Sequence, residues 1–160
     1  MSANKSKAQP ATAAYTPDLT RQPPRGPRVR LGGYVILPRM LDKGRATLAG
    51  LNGEYHYNCP LDQHFLAFAG IDAEALKSEL ARGKGDEDML AWVTAHSTTK
   101  PKPWEIAAWS AFHEGRGPGD VESREYFTGL LSKLSKTRED ILTWFDLLDL
   151  DDYLSFGGKA

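Results

Sequence analysis

The sequence has one cysteine, Cys59, so no internal disulfide can form. No apolar run approaches the ~18 residues that cross a bilayer. The opening residues, Met1-Ser-Ala-Asn-Lys-Ser-Lys, lack the apolar core of a secretory signal. These absences predict a cytoplasmic chain with no membrane partner. Also missing are a phosphate-binding glycine loop, a Ser-His-Asp order and a dinucleotide fingerprint. No internal repeat is evident, and no cofactor is expected. A chain of 160 residues can bury roughly 70% of its unfolded surface, so it needs no disulfide or metal staple.

Net charge is small, at −1, but its distribution is uneven. Residues 1–50 hold nine Lys/Arg and two Asp/Glu, a net of +7. Residues 51–160 hold eleven Lys/Arg and nineteen Asp/Glu, a net of −8. A basic arm can serve nucleic acid. Here the acidic half is a ready partner within the same chain, so docking of one half on the other is expected. Residues 18–33 contain arginines but no aromatic on which bases would stack. No nucleic acid is therefore expected as a partner.

The chain divides into three parts. Residues 1–16 are small and polar and predict a disordered tail. Residues 17–33 form a Pro/Arg-rich strap, where prolines remove backbone donors and hold their neighbours extended. Residues 34–160 carry helical periodicity. Helix one is expected over 34–49, with Leu37, Leu41, Gly44 and Leu48 on one face. Asn52-Gly53 is a turn signal that leaves room for a small hairpin near residue 52. Helix two begins at Pro60, a residue suited to the first helical position. Helix three is capped by Asp72 and ends at Gly83. Helix four covers Asp86 to about His96. Helix five starts at Pro103 and stops at Gly115. Asp120 caps helix six. Thr137 and Asp140 have capping-box spacing before helix seven, expected over 138–150. Helix seven is the most apolar segment and the expected centre of the core. Trp92, Trp109 and Trp144 lie on apolar stripes, and Trp104 is the tryptophan expected at the surface. The fold class is all-α: six or seven short helices in one compact domain.

Several motifs carry a family resemblance. Pro23-Pro-Arg-Gly-Pro-Arg-Val-Arg-Leu-Gly-Gly-Tyr34, Leu37-Pro-Arg-Met-Leu-Asp-Lys-Gly-Arg-Ala46, Gly53-Glu-Tyr-His-Tyr-Asn-Cys-Pro-Leu-Asp62 and Trp144-Phe-Asp-Leu-Leu-Asp-Leu-Asp-Asp-Tyr153 are the segments concerned. The chain resembles, over about residues 17–160, a bacterial family of small proteins catalogued only as a domain of unknown function. Gly26 departs from the Ser of that family. The resemblance implies a bacterial, cytoplasmic origin and brings no activity with it.

Three clusters are candidates for chemistry. In His56-Tyr-Asn-Cys59-Pro-Leu-Asp62-Gln-His64, Cys59 falls at the N-cap of helix two. A helix N-terminus favours thiolate, while Asp62 in the first turn opposes it. Cys59 as nucleophile, His56 as base and Asp62 beside them is the catalytic reading. A small structural cysteine is the plainer one. The spacing matches no standard zinc pattern.

Arg39, Asp42, Lys43 and Arg45 form the second cluster, and Asp42 is three residues from either arginine. With Arg28 and Arg30 of the strap, these side chains are the candidate clamp for a small anionic ligand. Asp146, Asp149, Asp151 and Asp152 form the third. They lack the spacing and glycine of a calcium loop, and are expected to receive the basic half. No metal is expected.

The leading expectation is a non-enzymatic binding or interaction module with a basic face. Its partner would be a small anionic ligand or a protein. The alternative is a small enzyme using Cys59 and His56. An unreactive cysteine beside an open basic groove would mark the first. An accessible thiol in a concave pocket would mark the second.

Overall fold

The computed structural model describes residues 15–160. The expected disordered tail, 1–16, lies almost wholly outside them. Seven helices follow in order among the described residues: α1 (Leu37–Ala49), α2 (Pro60–Ala69), α3 (Ala73–Leu80), α4 (Asp86–His96), α5 (Pro103–Gly115), α6 (Val121–Leu134) and α7 (Trp144–Ser155). No strand forms among those residues. Residues 51–58 make turns rather than a hairpin, and the one isolated bridge joins Leu31 to Tyr34.

Residues 15–36 run over the helices without regular structure and end in a tight γ-turn. Leu37 N–H donates to Val35 C=O at 2.8 Å. Ile36, at the centre of that turn, has φ 72°. A β-branched residue at positive φ is strained. It is held there by complete burial and by donation from its own N–H to Pro27 C=O at 3.0 Å. This turn delays α1 from the expected 34 to Leu37. Pro38 then falls in the first turn, where its missing N–H costs nothing.

The centre of the core is α1, not α7 as its apolar sequence suggested. Every residue from Leu37 to Ala46 is buried. Apolar Leu37, Met40 and Leu41 meet Phe65 and Leu66 of α2, Leu76 and Leu80 of α3, Met89 and Val93 of α4, and Phe145 of α7. Gly44 lets α3 approach: an added Cβ there would lie 2.6 Å from Leu80 Cδ1. Leu48, expected inside, is 45% exposed at the end of the helix.

A smaller core joins α6 to α7 through Phe127, Ile141, Leu147 and Leu150. Helix seven starts six residues later than expected. Its cap is Thr143, whose Oγ1 accepts from Asp146 N–H at 3.1 Å. Asp146 Oδ2 returns the bond from Thr143 N–H at 2.9 Å. Asp72 and Asp120 cap α3 and α6 as expected. Trp104 is exposed, while Trp92 and Trp109 pack against the main core. No helix among the described residues is long and apolar enough to cross a membrane.

Candidate functional site

The buried polar face of α1 explains how the two halves of the chain meet. Lys43 Nζ donates to Asp62 Oδ1 of α2 at 2.8 Å, and both side chains are almost fully buried. Arg39 donates from Nη1 to Asp152 Oδ2 at 2.7 Å and from Nη2 to Asp152 Oδ1 at 3.1 Å. That is a two-pronged pair with α7. Burial alone would make the guanidinium easier to deprotonate, but the Asp152 bonds outweigh it and raise its pKa. Arg45 donates to Asp86 Oδ1 at 2.8 Å. Asp42 takes Arg25 rather than Arg39, through Nη2 at 2.9 Å and Nε at 3.0 Å. Its distance to Arg45 is 3.9 Å.

Arg28 and Arg30 of the N-terminal segment are paired as well, while exposed Arg21 has no ion-pair partner among the described residues. Arg28 donates to Asp146 Oδ1 at 2.6 Å and to Asp149 Oδ2 at 2.9 Å. Arg30 donates to Glu114 Oε1 at 2.9 Å. Burial raises the Asp149 carboxyl despite Arg28. Asp86 shows the opposite balance: burial would raise it, yet Arg25 and Arg45 hold it below the usual carboxylate range. All six residues expected to form a ligand clamp therefore have a charged partner inside the chain.

A cavity of about 570 Å³ opens between α1, the 53–59 turn, the C-terminal half of α7 and Leu19-Thr20. That volume lies within the range of small-molecule sites. Arg39 and Lys43 reach it from α1, and Leu19, Leu61, Leu148 and Phe156 supply apolar wall. Arg39 also lies over the Tyr55 ring, 5.5 Å from its centroid. Tyr55 Oη donates to Asp152 Oδ1 at 2.8 Å. Burial, then that bond, pushes the phenol up, so it remains protonated.

Cys59 lines the same cavity, half-buried, and is the N-cap of α2 by position. Its side chain caps no backbone N–H. Instead Sγ accepts from Lys43 Nζ at 3.1 Å. Asn58, at φ 61°, makes the turn that delivers it. His56 also lines the cavity but is exposed and makes no hydrogen bond to Sγ among the described residues. Asp62 is fully buried and binds Lys43 and the N–H of Asn58, not His56. The structure thus brings Cys59 and His56 to one cavity and places Lys43 where a histidine partner was expected.

Two acids at the mouth complete the site. Glu54 and Asp151 are exposed and have no ion-pair partner among the described residues. Desolvation, then the charge of Asp152, raises the Asp151 carboxyl. The apolar wall, Glu54 and the bond from Lys43 to Cys59 were not expected from the sequence, and Asp151, expected to receive the basic half, lines the cavity without an ion-pair partner among the described residues. One available signal was that Arg39 and Lys43 are four apart and so share a helix face.

Elsewhere, His64 and His113 face each other at 5.0 Å between ring centroids. Burial, then the charges of His64 and Arg116, push His113 down to about 4. Among the described residues, no group of three or more His, Cys, Asp or Glu could hold a metal ion.

No curated protein matches the chain. Residues 21–154, which include the cavity's walls on α1, α2 and most of α7, match the family described as a domain of unknown function (DUF5069), and the chain belongs to that family.

Proposed function

We propose that the chain is a small-molecule-binding domain and that its ligand occupies the Cys59 cavity. One observation carries this reading. Arg39 and Lys43, each with a side chain only 3% exposed, border a cavity whose remaining wall is largely apolar. Buried cations beside an apolar wall are the kind of polar anchor that orients a ligand in a concave site. Pairing of Arg28, Arg30, Arg39, Asp42, Lys43 and Arg45 within the chain supports moving the site from a basic outer face to this cavity. It also supports a reading without nucleic acid as partner.

The test uses the neutral apolar dye N-phenylnaphthylamine. Its fluorescence rises on entry into an apolar site. We expect saturable binding near one dye per chain, lost in Leu148→Trp, a variant whose larger ring fills the cavity. Circular dichroism checks that the variant folds. Dye binding unchanged in Leu148→Trp would refute the site.

A second reading, thiol chemistry at Cys59, is favoured by the place of this half-buried residue on the cavity and by the bond from Lys43 to its Sγ. Here Cys59 is the nucleophile, His56 supplies proton transfer from across the cavity, and Asp62 acts only by holding Lys43. Iodoacetamide labelling at neutral pH separates the readings. A rate well above that of a free thiol supports the nucleophile. A rate at or below it leaves the cavity as a binding site.

A further inference from the structure

Resting on the cavity as a binding site, we infer that its ligand is an apolar α-amino acid, a zwitterion with its side chain in the apolar wall. Charge in the cavity is sorted by burial. Its floor carries two nearly buried cations, Arg39 and Lys43, and its mouth carries two exposed acids, Glu54 and Asp151. The floor cations retain donors. Lys43 Nζ gives protons to Asp62 and Cys59 and has one left. Arg39 Nε and one Nη2 proton have no acceptor among the described residues. Nor is Arg39 Nε among the buried polar atoms sealed away without a partner.

A carboxylate at the floor would accept from both cations. Because Asp62 and Asp152 already balance their charge, the ligand is held by directed hydrogen bonds more than by net charge. An ammonium at the mouth meets Glu54 and Asp151, which have no other ionic partner among the described residues. A purely anionic ligand would leave those acids repelling it, and a purely cationic one would leave the floor donors without acceptors. A molecule carrying both charged groups on one carbon, with an apolar branch on that carbon, satisfies both ends.

The test is competition for the dye site in the full chain. The competitors are L-phenylalanine, 3-phenylpropionate, which lacks the amine, and phenethylamine, which lacks the carboxylate. L-phenylalanine should displace the dye, and each singly charged analogue should need about tenfold more, the usual size of one lost charge-assisted hydrogen bond. Glu54→Gln with Asp151→Asn should weaken L-phenylalanine and phenethylamine but leave 3-phenylpropionate undiminished or tighter, since its repulsion by the acids is relieved. Damage to the fold would weaken all three. An analogue that competes as well as L-phenylalanine would overturn the zwitterion assignment. So would dye binding that is lost in Leu148→Trp yet unaffected by any of the three compounds, a result that leaves the cavity itself standing. Failure of the dye to bind at this site would remove both readings.

Discussion

Lys43 shows at the residue scale how a buried charge is tolerated. Its ammonium sits within hydrogen-bond reach of a carboxylate and a sulfur, so desolvation is offset by directed contacts. Removing one partner exposes the cost. Lys43→Met should lower unfolding stability by about 3–5 kcal/mol, because Asp62 is left buried without its cationic partner. Adding Asp62→Leu should recover part of that loss, and urea denaturation measures both. His113 supplies a pH test. Its folded pKa is about 4 against an ordinary 6.5, so as pH falls the unfolded chain takes the proton first. Stability from this group is present above pH 6.5 and declines as pH drops from 6.5 to about 4. Asp86 titrates below its ordinary 3.8, in a separate window. Melting temperature in His113→Phe should therefore vary less than in the parent between pH 6.5 and 4. An equal slope would remove His113 from the account.

Elements were legible in the sequence where their ends are marked by local chemistry. Pro60, Asp72, Pro103 and Asp120 each open or cap a helix as their residue types imply. Local chemistry misled at α7, where two capping patterns compete. Thr137 and Asp140 have the right spacing, yet Asp140 pairs with Arg138 and the chain stays non-helical to Thr143. Thr143 prevails because its partner Asp146 also receives Arg28 from the far end of the sequence, and no local pattern contains that contact. Thr143→Ala should cost about 1 kcal/mol, the usual worth of a cap. Thr137→Ala should stay within about 0.5 kcal/mol of the parent. Reversal of that order in denaturant titrations would contradict the observed start of α7. The centrality of α1 was hidden for a related reason. Its charged residues read as a ligand clamp on a basic face, and only the distant carboxylates Asp62, Asp86 and Asp152 make their burial tolerable. The cavity was illegible for the same cause: Leu19, Leu61 and Leu148 converge only in the folded chain.

For the whole molecule, the asymmetry of charge becomes cohesion between the two ends of the chain. Arg25, Arg28, Arg30, Arg39, Lys43 and Arg45 all lie in the basic half, and all pair with carboxylates, most from beyond residue 60. Individually, the half-exposed pairs contribute about 0–1 kcal/mol, so their value lies in number and in the segment they hold down. A chain starting at residue 17 should melt like the parent, and one starting at residue 31 should melt lower. Equal melting of the two would deny residues 17–30 a structural role. The central claim is that these cations are taken up internally and leave no basic face for a polyanion. Fluorescence anisotropy with a generic DNA duplex at physiological salt tests it most directly. We expect no appreciable binding by the parent, and salt-sensitive binding to emerge in Asp146→Ala with Asp149→Ala, where Arg28 is released. Tight binding by the unmodified chain at physiological salt would contradict the account.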